Sequence, residues 1–300
     1  MDLNELLKQS AEKRASDVHL KVGVPPVLRI DGHLTALQEA GRLSKEWMVE
    51  TLYGIMTPHQ KEQFAREHDL DMAYSVPGLD RFRVNIYQQR GTVGGVFRVI
   101  PMKVMTIREL GLPAVIESIA LEPRGLILVT GPTGNGKSTT MASMIRHISD
   151  TNNFNIVTVE DPIEFLFSSG KSCVIQREVG IDTESFSTAL RAAMRMDPDV
   201  IMVGEMRDLE TIDACIKAAE TGHLVLSTLH TQNAASTINR TVGHFAPDAQ
   251  EILRHRLADI LVATVSLRPV QEVSGGEILP AGEGVGSTTP IPGCRRESRL

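Results

Sequence analysis

Nine consecutive residues constrain this chain more than any others. Gly131-Pro132-Thr133-Gly134-Asn135-Gly136-Lys137-Ser138-Thr139 carries the pattern G-x-x-x-x-G-K-[ST]. Such a loop works between a buried strand and a helix. Its glycines let main-chain N–H groups turn inward and hold phosphates. Lys137 reaches the β- and γ-phosphates, and the Ser138 hydroxyl meets Mg²⁺. The flanks supply the setting. Gly125-Leu126-Ile127-Leu128-Val129-Thr130 is a short apolar run of the kind found in strands buried on both faces. Downstream, Met141, Met144, Ile145 and Ile148 recur at helical spacing. Residues 139–149 are therefore expected to form a helix whose N-terminus faces the phosphates, and all nine loop residues are expected to bind nucleotide.

The pattern around this loop is one of strands alternating with helices. Strands are expected at 126–130, 155–159, 199–203 and 224–228, with helices near 139–149, 185–195 and 209–220. Asp208 is placed to cap the last helix, Leu209, Ile212, Ile216 and Ala219 give it an apolar face, and Gly222 ends it. Strands separated by helices imply a parallel sheet with right-handed crossovers, and ligands gather at the carboxyl ends of its strands. This α/β region is assigned to residues 124–270. Residues 1–100 differ, with short alternating runs such as Val18-His19-Leu20-Lys21-Val22 and Val27-Leu28-Arg29-Ile30 and a hairpin signal at Asp31-Gly32. They are expected to form a smaller α+β domain, with its last two strands joined by a turn at residues 91–94. Residues 101–123, punctuated by Pro101, Pro113 and Pro123, read as a connector. Residues 271–300 are rich in Gly, Pro, Ser and Thr, and are expected to lack packed structure.

Three further strand ends carry polar residues. Glu160-Asp161-Pro162-Ile163-Glu164 follows an apolar run, and carboxylates there can orient or deprotonate an attacking water. Taken alone, the same residues also fit a solvated acidic turn opened by Pro162. Val200-Ile201-Met202-Val203-Gly204-Glu205 is an apolar strand ending in an acid, the second signature of a nucleotide site. Gly204 stands where many such motifs have an Asp, so Glu205 is assigned to Mg²⁺ through water, with Ser138, and Glu164 becomes the better candidate base. His230 follows Leu224-Val225-Leu226-Ser227-Thr228-Leu229, where it can sense a γ-phosphate. Arg81, Arg83, Arg90 and Arg98 lie on expected strands of the first domain. They read either as a solvated sheet face or as charges offered to the phosphates of a neighbouring subunit.

Composition narrows the alternatives. The net charge of −6 gives no electrostatic footprint for nucleic acid, which argues against a translocase on DNA or RNA. Cys173, Cys215 and Cys294 lie far apart, so neither a zinc site nor a disulfide framework is expected. The start of the chain has no secretion signal, and the longest late apolar run, residues 260–267, is too short to span a bilayer. A cytoplasmic protein without membrane insertion is expected.

These segments recur together in one family. Ala15-Ser16-Asp17-Val18-His19-Leu20, Gly23-Val24-Pro25-Pro26, Arg29-Ile30-Asp31-Gly32 and Arg81-Phe82-Arg83-Val84-Asn85 precede residues 131–139, the acidic box 159–164, Val203-Gly204-Glu205-Met206-Arg207-Asp208 and the histidine box 221–231. Across about residues 1–262 the chain resembles the secretion-type hexameric ATPases, and within them the retraction ATPases of type IV pili, the PilT family. The resemblance implies a PAS-like N-terminal domain, a linker and a RecA-like ATPase domain. It implies Mg²⁺-dependent ATP hydrolysis by a homohexamer at the cytoplasmic face of the inner membrane, acting on a pilus platform protein to drive retraction and twitching motility. It points to Arg83 and Arg98 as arginines acting in trans. The extension and type II secretion relatives carry a four-cysteine zinc insertion that this chain lacks. Members of the retraction group continue into a C-terminal helical domain, where this chain has its Gly/Pro-rich tail. A nucleotide-binding regulator, or a subunit without motor activity, is the alternative expectation.

Overall fold

The computed structural model describes residues 2–76, 78–79, 81–100, 104–167, 170–231, 233–271 and 278–286. The chain divides into two compact units, Met1–Met102 and Lys103–Leu300.

The first unit runs α1 (Leu3–Glu12), β1 (Asp17–Leu20), β2 (Val27–Ile30), β3 (His33–Ala36), α2 (Lys45–Gly54), α3 (Pro58–Glu67), β4 (Asp69–Ser75), β5 (Arg81–Gln89) and β6 (Thr92–Ile100). Its antiparallel sheet has the order β3-β2-β1-β6-β5-β4. Local chemistry sets the helix starts: Asp2 accepts from Glu5 N–H, and Ser44 from Trp47 N–H. Leu3, Leu6, Leu7, Met48 and Leu52 bury against Val18, Leu20, Phe82, Val84 and Phe97 from the sheet. Each such side chain contributes roughly 1.5–3 kcal/mol of burial. The last hairpin turns at Arg90-Gly91, both with positive φ, so residues 92–94 already lie in β6, ahead of the expected turn.

A charged pair between β1 and β6 stabilises this sheet. Arg98 Nε donates to Asp17 Oδ1 at 2.8 Å, and Ser16 donates to Oδ2 at 2.8 Å. Burial works to raise the Asp17 carboxyl, but the bonds from Arg98 and Ser16 outweigh it and hold it below the usual carboxylate range. The stabilisation is therefore present above the unfolded value of ~3.9 and is lost as pH falls through the lower folded value. Asp17→Asn is expected to cost about 1 kcal/mol at neutral pH. Its denaturant midpoint should converge on that of the parent as the solution is taken below about pH 4; a gap that stays constant down to the acid transition would refute the assignment.

The second unit begins with residues 104–123, expected as a connector. They pack instead into its core: Ile107, Leu112 and Ile116 are buried, the last on α4 (Val115–Ala120). Then follow β7 (Gly125–Thr130), α5 (Lys137–Thr151), β8 (Asn155–Glu160), β9 (Cys173–Glu178), α6 (Phe186–Ala193), β10 (Val200–Val203), α7 (Leu209–Glu220), β11 (Leu224–Leu229), α8 (Ala234–Gly243), α9 (Gln250–Ile260), β12 (Leu261–Gln271) and β13 (Ile278–Gly286). The sheet order is β13-β12-β7-β11-β10-β8-β9, with every neighbouring pair parallel except β12–β13. Alternate residues of β7 divide the core: Leu126 and Leu128 face one buried cluster with α6, α7 and α9, and Ile127 and Val129 face another with α4 and α5.

The tail, residues 271–300, is expected to be disordered or poorly packed; within it the main chain of Ile278–Gly286 pairs antiparallel with β12. The physical reason is the edge that β12 would otherwise expose, a row of main-chain donors and acceptors that pairs with almost any extended segment. Proline is tolerated in such an edge strand. Residues 272–277 and 287–300, with Cys294, lie outside the described residues.

Candidate nucleotide site

The strand order is what assembles the site. β7, β11, β10 and β8 lie side by side in the sheet, and the phosphate loop, His230, Glu205 and the acidic segment follow their carboxyl ends in that same order. Residues far apart in sequence therefore come abreast, as expected for ligand sites in parallel sheets.

The phosphate loop has the conformation its sequence requires. Gly131 approaches β12 so closely that a Cβ would stand 2.7 Å from the Leu267 carbonyl oxygen. Gly136 precedes α5 with φ +78°, a left-handed conformation that favours glycine. No side chain caps α5, so its first N–H groups remain available to an anion. Thr133 and Gly134 are exposed, while Lys137 is only 8% exposed. Its Nζ donates to the carbonyls of Gly131 and Pro132, both at 2.9 Å. Burial pulls the Lys137 ammonium below its usual value, opposed by the nearby charges of Glu205 and Glu164.

His230 joins the loop to the second acid. Its Nδ1 lies 3.5 Å from Thr133 Oγ1, and its Nε2 lies 3.4 Å from Glu205 Oε2. Arg207, which sequence reasoning gave no role, holds the other oxygen of Glu205 at 2.5 Å. Main-chain and hydroxyl bonds fix the strand end that carries Glu205: Gly204 N–H donates to Val159 O, Met206 N–H to Thr228 O, and Thr228 Oγ1 to Gly204 O. Glu164 is exposed, on the acidic loop, and close enough to Lys137 to influence its charge. Beneath it, burial pushes the Glu160 carboxyl above its usual range against bonds from Thr158 and Gln176.

Arg83 and Arg98 belong to the first unit, where they stand directly opposite each other on β5 and β6. Arg83 pairs loosely with Asp71 at 3.6 Å. Arg98 holds Asp17, yet remains 67% exposed. The two expected trans arginines thus share one face of the first sheet.

Comparison with known proteins decides the family. A model of the type II/IV secretion system protein family matches residues 96–263. The chain belongs to this family. Among its relatives, a type IV pilus retraction ATPase, PilT, of Pseudomonas aeruginosa is 45% identical over 300 residues, covering 100% of this chain and 87% of that protein. A twitching motility protein of Neisseria gonorrhoeae is 40% identical over 275 residues, covering 92% of this chain and 73% of that one. The crystal structure of the pilus retraction motor PilT with bound ADP superposes with a TM-score of 0.91 at 45% identity, covering 96% of this chain and 84% of that one. The family fold is an N-terminal PAS-like α+β domain followed by a RecA-like phosphate-loop domain, as this chain's antiparallel and parallel sheets display. Among the described residues, no helix is long and apolar enough to cross a membrane.

Proposed function

We propose that this chain is the ATP-hydrolysing subunit of a homohexameric motor that drives type IV pilus retraction. The observation that carries this reading is the bridge through His230. One imidazole meets both Thr133 of the phosphate loop and Glu205 of the next strand but one. A nucleotide held over residues 131–139 then has a base, a metal-binding acid and a sensor beside its terminal phosphate.

In this reading the main-chain amides of 131–139 hold the triphosphate, and Lys137 leaves the carbonyls of Gly131 and Pro132 to meet its β- and γ-oxygens. Glu164 orients and deprotonates the attacking water, and His230 reports whether the γ-phosphate is present. Ser138 and Glu205 fit Mg²⁺. Among the described residues no three His, Cys, Asp or Glu side chains gather into a metal cage. Mg²⁺ typically keeps waters and phosphate oxygens and needs only one or two protein ligands. When bound, it would neutralise charge developing on the phosphoryl oxygens. Arg83 and Arg98 serve the site of an adjacent protomer, so turnover depends on assembly. The ring works peripherally at the cytoplasmic face of the inner membrane, against a platform protein at the pilus base.

Subunit mixing tests the shared site. Arg83→Ala and Glu205→Ala chains are each expected to lose turnover. Mixed in equal amounts, they should regain part of it, because some interfaces then combine an intact arginine with an intact acid. Absence of rescue at every ratio, in mixtures shown by mass measurement to form joint rings, would overturn the trans assignment.

A further inference from the structure

The segment that carries Glu164 is held by side chains rather than by secondary structure. Among the described residues, no main-chain to main-chain hydrogen bond pins residues 161–167. Their polar groups turn instead to β8 and β9. Ile163 N–H donates to Glu178 Oε2 at 3.1 Å, and Glu164 N–H to Glu160 Oε2 at 3.4 Å. Gln176 does the most. Its Oε1 accepts from Phe167 N–H at 3.0 Å, and its Nε2 donates to Phe165 O at 2.8 Å and to Glu160 Oε1 at 3.2 Å. It therefore grips the loop on the far side of Glu164 and also fixes the carboxylate that accepts from Glu164 itself.

We propose that Gln176 is a positioning residue for the reaction, setting where the Glu164 carboxylate stands over the phosphates. The inference rests on the reading of Glu164 as base. The chemistry explains the residue type. Only an amide side chain both accepts one bond and donates two here; a carboxylate of the same shape accepts but does not donate, and an apolar residue does neither. The sheet also explains the place. Gln176 lies opposite Thr158 in the β8–β9 register, and Glu178 lies opposite Glu160, so all four rise from one face under the loop.

The test uses the full-length chain. Gln176→Ala is expected to lower kcat by on the order of 100-fold, the cost of misplacing a catalytic group by about an ångström, with KM for ATP and binding of a fluorescent ATP analogue unchanged. Gln176→Glu keeps the shape and the acceptor, guards against a folding defect, and should repeat the loss. Amide hydrogen exchange at 163–167 should quicken in both variants while β7 and α5 keep their protection. In a Glu164→Gln background the change at 176 should cost nothing further, since it acts through Glu164. An undiminished further loss in that background, or unchanged exchange at 163–167, overturns the proposal. Full turnover in Glu164→Gln alone instead removes Glu164 as base and with it the catalytic consequence, while exchange still reads whether Gln176 holds the loop.

Discussion

Replacing Lys137 by alanine is expected to lower kcat/KM for ATP by on the order of 1,000-fold, about 4 kcal/mol of transition-state stabilisation. The size follows from the burial of the ammonium. At 8% exposure it acts in a site with little water, where a fixed charge beside the phosphoryl group is worth far more than at a surface. The folded state should suffer less. Lys137 Nζ donates to two loop carbonyls, and the loss of those bonds is offset because the variant no longer buries a charge. Lys137→Arg should fail almost as badly, since a planar fork does not replace a compact point charge in a loop this close. Retained turnover in Lys137→Ala, measured as phosphate release in Mg²⁺, would mean that the assigned loop is not where ATP is split.

The second large effect belongs to Glu205. Glu205→Gln keeps the side chain's shape and removes its charge. Its kcat is expected to fall by roughly 100- to 10,000-fold while nucleotide still binds, the signature of an interaction made in the transition state. The substitution also weakens two partners at once, because Glu205 holds Arg207 through one oxygen and faces His230 through the other. His230→Ala should be milder, since it removes one contact to Thr133 and one to Glu205 and leaves the carboxylate in place. If Glu205→Gln instead raised KM with kcat preserved, the acid would be a binding group only.

Much of this site is legible in the sequence for a physical reason. Strands of a parallel sheet are buried on both faces, so β7, β8, β10 and β11 appear as mostly apolar runs broken only by small hydroxyl residues such as Thr158 and Ser227, and the charged or imidazole residue that ends or follows β8, β10 and β11 stands out. Asp208 shows in the same way as a cap, and it accepts from Thr211 N–H at 2.8 Å. The order of the strands is not written in any run. It arises from hydrogen bonding between distant segments, and only the fold reveals that His230 lies between Thr133 and Glu205. Edge elements hide for the opposite reason. β9 has only Val174-Ile175 as an apolar core, and β13 pairs through its main chain with the open edge of β12. Gln176 and Arg207 escape notice because a glutamine on an edge strand and an arginine after an acid look like ordinary solvated residues until their partners are in view.

Two strands, β11 and β10, separate β7 from β8, which at about 4.8 Å per strand puts roughly 14 Å between the phosphate loop's root and that of Glu164. The charge of Glu164 is nonetheless felt at Lys137. Residues 163–167, which carry it, are held over β8 and β9 by bonds to Glu160, Gln176 and Glu178. On the proposed reading of Glu164 as base, the span of this connection matters as much as its residues: trimming it to a compact crossover would carry the carboxylate away from Lys137.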